Sequence, residues 1–260
     1  VQDAHLLDTG RQLERLARVR GRPLFAVGPS GLEYALTQWW QSTGAAWPAD
    51  VNGDSGEDRW ARFAAVPQVL AISASASALT AQQIDAALAA GFADMAVDAA
   101  ALVDIEDGEQ ALQALVERTL RALEQGQSVM LHTARGHDDP RIAGMLEALR
   151  AQGLSPDQAR QQAGRSLGQR LGELTEHVLR ERERAGQAVP RLLLSGGDTS
   201  SAVMQHLAPE AIEVFARLVP GAPLCRLLSP LPHLRNLQVA LKGGQMGQAD
   251  FFVKALHGTA

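Results

Sequence analysis

A short apolar run that halts at two glycines constrains this chain more than any other stretch. In Arg191 to Leu207, RLLLSGGDTSSAVMQHL, residues Leu192, Leu193 and Leu194 read as a buried strand. Gly196 and Gly197 turn the chain, and Asp198, Thr199, Ser200 and Ser201 are residue types that favour a helix start. Ala202, Val203, Met204 and Leu207 carry the apolar pattern onward at helical spacing. Strand, glycine turn, helix is the βα unit of an α/β fold. It aims free backbone N–H groups and the positive end of a helix dipole at one spot, where an anion such as a phosphate can sit. The same turn also caps ordinary α/β helices, so alone it leaves phosphate binding and plain capping both open.

Composition narrows the classes. The chain has 260 residues, enough for one large domain or two small ones, and 46% of them are hydrophobic. A net charge of −5 argues against a nucleic-acid binder built on a broad basic face. The single cysteine, Cys225, excludes an internal disulfide and a cysteine-based zinc site, and fits a cytoplasmic location. No apolar run approaches the roughly 20 residues of a membrane span. The first residues, VQDAHLLDTG, lack the basic start and apolar core of a signal peptide, and the missing initiator Met reads as the trailing part of a longer chain.

Strands and helices alternate along the rest. A helix is expected from Thr9 to Arg20, a buried strand at Pro23 to Val27, and a helix from Leu32 to Trp40 after the turn Gly28-Pro29-Ser30-Gly31. Ser42 to Asp58 reads as a loop flanked by Trp39, Trp40, Trp47 and Trp60. Val69 to Ile72 is a strand followed by Ser73, Ser75 and Ser77, small hydroxyl residues that suit a crevice at a strand's carboxyl end or a tightly packed cap. Met95 to Val97 and Val129 to Leu131 are further strands, the latter running into the polar cluster His132 to Arg141. That cluster reads as a loop with Asp138 or Asp139 capping a helix, ahead of a metal site. Pro156 to Arg184 is a long helix in which Gly164, Gly168 and Gly172 recur every fourth residue, predicting that another backbone passes close. Strands at Ile212 to Val219, just after Gly221, and at Asn236 to Leu241 lead to Lys242-Gly243-Gly244, a second phosphate-compatible turn, and to a closing helix with Phe251 and Phe252. The expected architecture is a three-layer α/β sandwich with a mostly parallel or mixed sheet, plus an N-terminal βα remnant of a second domain.

Several stretches taken together, VGPSGLEYAL, SASASALTAQQIDAALAAGF, VMLHTARGHDDPRI, LLLSGGDTSSAV, PGAPLCR and LKGGQMGQADFFVKAL, resemble the four-carbon acid sugar kinases (DUF1537) over about Pro23 to Gly258. The resemblance implies an ATP-dependent, Mg²⁺-assisted kinase acting on a sugar acid of the threonate, erythronate or 3-oxo-tetronate type. It divides the chain into 1–42, the tail of a sugar-acid-binding domain, 43–67, a linker, and 68–260, the nucleotide-binding domain. By similarity Ser75 or Ser77, Gly196, Gly197, Asp198, Thr199 and Gly244 would contact ATP, beside Gly243. Lys242 would neutralise charge, and Asp198 would ligate Mg²⁺ through water or orient the acceptor hydroxyl. The family's Asp-Asp-x-Thr-Gly turn is missing here, and Ala74 stands where the family's Gly-Ser-x-Ser turn has its glycine. The partners implied are ATP and a small sugar acid, with a homodimer as a further expectation. The alternative is a non-catalytic nucleotide-binding or scaffold module.

Overall fold

The computed structural model describes residues 3–23, 25–44 and 62–259. The chain divides into two compact units, residues 1–57 and 58–260. The expected linker, and with it Trp47 and Trp60, lies largely outside the described residues.

In the first unit α1 (Asp3–Arg20) packs on α2 (Gly31–Ser42). Gly10 lies against the backbone of Ala35, where a side chain would collide. The strand expected at Pro23 to Val27 is not formed: residue 23 and residues 25–27 join no ladder, and Phe25 and Val27 stand exposed. An apolar run becomes a strand only where a neighbouring strand takes its amides, and the described residues of this unit offer none.

The second unit holds a seven-stranded mixed sheet in the order β2-β3-β1-β4-β7-β6-β5. Its strands are β1 (Leu70–Ser73), β2 (Ala93–Ala96), β3 (Val129–His132), β4 (Arg191–Ser195), β5 (Ala211–Val219), β6 (Ala222–Leu228) and β7 (Gln238–Lys242). The first five strands in spatial order are parallel, and β6 and β5 close the edge antiparallel. The central strands are apolar between their polar ends because helices cover both faces. Leu70, Ile72, Leu131, Leu192 and Leu194 enter one core with α5 (Gly108–Glu124), α7 (Pro156–Arg184) and α8 (Gly197–Leu207). Ala71, Met130 and Leu193 enter the other with α3 (Ala78–Ala89) and α9 (Phe251–His257). These are the three layers that the alternation of elements predicts. Two further helices, α4 (Ala99–Val103) and α6 (Pro140–Ala151), lie on the α7 side.

The glycine stripe of α7 is occupied by α8. A Cβ on Gly168 would lie 2.5 Å from the Cβ of Ala202, and one on Gly172 would lie 2.7 Å from the Cβ of His206. The missing side chains let the two helices approach at positions 202 and 206, four residues apart on one face of α8.

Candidate functional site

Sheet register sets the site. Ser73, Ser195 and Lys242 are paired neighbours at the carboxyl ends of β1, β4 and β7, and His132 completes the row on β3. The loops after β1, β4 and β7 therefore start side by side. The helix after β1, α3, lies on one face of the sheet, and the helix after β4, α8, lies on the other. That divergence marks a topological switch point, where open α/β sheets place their ligands.

The loop after β4 starts at Gly196, with φ +111°, a conformation that residues with a Cβ rarely adopt. A Cβ there would touch the Ala74 carbonyl at 3.4 Å, so the conformation and not the space calls for glycine. Gly196 N–H donates to Lys242 O at 3.0 Å, and Ala74 N–H donates to Ser195 O at 3.1 Å, so the three loops are tied by backbone. Ala74 is not among the residues with positive φ, so its departure from the family's glycine causes no strain. Gly196 is itself the N-cap of α8 and makes no side-chain cap. Asp198, Thr199 and Ser200, expected at the cap, lie within the helix instead. Among the described residues the amides of Gly197, Asp198 and Thr199 have no acceptor; the first helical bond is Ser200 N–H to Gly196 O at 2.9 Å. These orphan donors at a helix start are the physical requirement for holding an anion.

The loop after β7 lies against the loop after β1. Ser77 caps α3 by accepting from Thr80 N–H at 3.0 Å, and its Oγ donates to Gly244 O at 2.5 Å. Ser75 Oγ accepts from Ser77 N–H at 3.3 Å and lies 3.1 Å from Thr80 Oγ1. A Cβ on Gly244 would collide with Ser75 Oγ. The two serines thus knit the loops together. Thr80 and Gln83, which the sequence did not single out, do the same: Thr80 Oγ1 lies 3.1 Å from Gly244 O, and Gln83 Nε2 donates to Met246 O and Gln248 O.

Lys242 alternates onto the α3 and α9 face, whereas Leu241 points to the opposite one. Only 2% of Lys242 is exposed. Its Nζ donates to Thr80 Oγ1 and Gly243 O, both at 3.2 Å, and lies 5.6 Å from the centre of the Phe251 ring. Burial without a carboxylate partner pulls its pKa down to about 8. The ammonium supports the glycine turn from beneath.

A cleft of about 780 Å³ opens between α8, the start of β5 and the loop after β7. Met204, Ala208, Pro209, Ile212, Leu241 and Met246 give it apolar walls, and Gly197, Ser200, Lys242 and Gly243 line it as well. Among the described residues Ser200 Oγ is buried without a partner, and so is Ser195 Oγ at the end of β4. Asp198 is exposed and does not line this cleft; its Oδ2 lies over Gly164 of α7.

Within the polar cluster after β3, His132, Asp139 and Arg141 hold one another and the start of α6. His132 is buried, its Nε2 meets Asp94 at 2.9 Å, and Arg141 Nη2 donates to its Nδ1 at 3.2 Å. Burial holds its pKa below the ordinary histidine value. Asp139 caps α6 and pairs with Arg141 at 2.7 Å. Among the described residues no three His, Cys, Asp or Glu side chains converge on a metal position.

A mixed sheet whose parallel strands bring two glycine turns, free helix amides and an apolar cleft together at their carboxyl ends has the architecture of an α/β ligand-binding domain. The chain belongs, more narrowly, to the family described as the nucleotide-binding C-terminal domain, whose pattern matches residues 70–252. It is 36% identical over 233 residues to a 3-oxo-isoapionate kinase of Paraburkholderia graminis, covering 90% of this chain and 46% of that protein. It is 30% identical over 190 residues to a D-threonate kinase of Salmonella typhimurium, covering 73% and 42%. The resemblance to four-carbon acid sugar kinases is thereby established, and the chain spans about half the length of these relatives. A Haemophilus influenzae protein of the DUF1537 family shares the fold, with a TM-score of 0.60 at 20% identity over 98% of this chain and 59% of that one. A DUF1537 protein of Bordetella bronchiseptica, crystallised as a domain-swapped dimer with bound citrate, gives a TM-score of 0.51 at 25% identity, covering 95% and 50%. No helix among the described residues is long and apolar enough to cross a membrane.

Proposed function

We propose that this chain is the nucleotide-binding part of an ATP-dependent kinase that phosphorylates a hydroxyl of a small sugar acid of the four-carbon class. The observation that carries this reading is the backbone bond from Gly196 to Lys242, which brings both glycine turns to the edge of one cleft. Around it the parts fit a nucleoside triphosphate. The apolar walls of the cleft suit a purine, and the uncapped amides of α8 suit phosphate oxygens. Ser200 Oγ, buried at the cleft without a partner, gains one when a polar ligand enters.

In this arrangement positioning and charge neutralisation dominate, as phosphoryl transfer requires. Mg²⁺ supplies charge neutralisation when bound; it is usually held by one or two carboxylates together with substrate phosphates. Asp198, exposed in the first turn of α8 and outside the cleft lining, would hold it through water. Ser75 and Ser77 shape the site by fixing Gly244, and Lys242 acts through the turn it supports. A second copy of the chain as partner is supported by the dimer of the Bordetella relative.

The test is titration calorimetry of this chain with ATP–Mg²⁺, paired with a thermal-shift series. Saturable heat and a rise in melting temperature with ATP concentration are expected. No heat and no shift at millimolar ATP would overturn the reading.

A further inference from the structure

Thr80 is fully buried and does not line the cleft, yet three parts of the site meet at its hydroxyl. Lys242 Nζ donates to Thr80 Oγ1 at 3.2 Å. Gly244 O lies 3.1 Å from the same oxygen, and Ser75 Oγ lies 3.1 Å from it as well. One helical turn on, Gln83 holds Met246 O at 3.0 Å and Gln248 O at 2.9 Å. One edge of α3 thus grips the carbonyls of residues 244, 246 and 248. Gly243 and Met246, between and beside those carbonyls, form part of the cleft wall.

We propose that Thr80 is a positioning residue: its hydroxyl orients the ammonium of Lys242 and fixes the loop of residues 243–248, so the shape of the cleft depends on a side chain that never touches the ligand. The inference rests on the nucleotide reading above, and it adds a residue that a list of cleft contacts omits. The chemistry is economical. A lysine ammonium has three donors and no acceptor. Here two of them are directed to Thr80 Oγ1 and Gly243 O, and the π face of Phe251 lies alongside. Without the threonine oxygen, an ammonium with no carboxylate partner loses one of its two acceptors in a dry site. It must turn away or give up its proton, and the turn it supports shifts with it.

Two variants separate positioning from packing. Thr80→Val keeps the volume and removes the hydroxyl; Thr80→Ser keeps the hydroxyl and removes a buried methyl. Hydrogen exchange of residues 243–248 is read on each without nucleotide, and the dissociation constant for ATP–Mg²⁺ is read by calorimetry. Thr80→Val is expected to speed exchange in the loop and weaken ATP binding about tenfold. Thr80→Ser should hold both near wild type even where its melting temperature falls. A purely structural role would track melting temperature in both variants and leave the dissociation constant alone. Unchanged loop exchange in Thr80→Val, or unchanged ATP affinity beside a binding wild type, overturns the proposal while the nucleotide reading stands. If wild type itself gives no heat with ATP, the nucleotide reading falls and takes the affinity part with it, whereas faster loop exchange in Thr80→Val alone would still support the positioning of the loop.

Discussion

Gly168→Ala sets two opposing effects against each other in α7, and the structure decides between them. Replacing a helical glycine by alanine gains up to about 1 kcal/mol in helix propensity. Against that, the new Cβ would sit 2.5 Å from the Cβ of Ala202. Carbon atoms in good contact are about 3.5–4.0 Å apart, so the two helices must separate by about 1 Å or more. Neither atom is the end of a flexible side chain, so nothing can swing aside. Overpacking of this kind costs about 1–3 kcal/mol, which outweighs the propensity gain and leaves Gly168→Ala destabilised by about 1 kcal/mol or somewhat more. Gly164, one turn earlier, is the internal control. Its nearest neighbour would be Asp198 Oδ2 at 4.0 Å, an ordinary contact. Gly164→Ala should therefore show the propensity gain alone, about 0.5–1 kcal/mol of added stability. Urea unfolding of both variants at 25 °C reads the difference directly. If both alanines stabilise the protein, or both destabilise it equally, the close approach of α7 and α8 is not what the glycines serve.

Gly244→Ala is expected to drive a methyl group into Ser75 Oγ and to within 3.2 Å of the Ser77 Cβ and Oγ. The loop after β7 would then part from the loop after β1, lowering stability by about 1–3 kcal/mol and ATP affinity with it; wild-type affinity and melting temperature would refute the contact. Lys242→Met tests the buried ammonium through pH. Because the folded-state pKa lies at about 8, below the ordinary 10.5, the unfolded chain binds more protons between those values. Stability of the wild type should rise as pH climbs through that window and be lowest beneath it, by about 3 kcal/mol in full. The methionine variant should lack that component, which urea midpoints at pH 7 and pH 9.5 would reveal. Parallel pH slopes for the two proteins would place the ammonium in water instead.

The local chemistry of this fold is legible in its sequence, and the partnerships are not. Leu192 to Leu194, running into Ser195 and two glycines, reads as a buried strand and is one, and Pro156 with Ser155 before it marks the start of α7, where the structure shows a full capping box. The glycine repeat of α7 announced a close neighbour without naming it, and the expectation holds at Gly168 and Gly172 but not at Gly164, which makes only an ordinary contact. The neighbour, α8, begins after an intervening strand, and which helix covers α7 depends on the crossover between β3 and β4. The run Pro23 to Val27 shows the reverse failure. Its composition suits a strand, but strands exist only in pairs, and pairing is not a property of five residues. Asp139 before Pro140 is a good helix start, and α6 does begin there. Of the two candidates the sequence offers for that cap, Asp138 and Asp139, the second fills it, with Pro140 in the first turn.

The case of Lys242 shows where the missing information resides. A lysine at a strand end before glycines invites a phosphate contact, and the sequence alone permits one. The period of two along β7 sends the Leu241 side chain to the α8 face and the Lys242 side chain to the α3 and α9 face, and both orientations are fixed only when β7 takes its register beside β4. Once Ser195 and Lys242 are paired, the ammonium must find its acceptors on that face: Gly243 O next to it in the chain, and Thr80 Oγ1 on α3, 162 residues away in sequence. The serines of the first loop are drawn into the same arrangement by the carbonyl of Gly244. The three loops at this edge are thus joined by hydrogen bonds, so substitutions in any two of them should couple rather than add. A cleft wall held in this way derives its shape from residues it does not display, which is why contact with the ligand is too narrow a criterion for finding the residues that govern binding here.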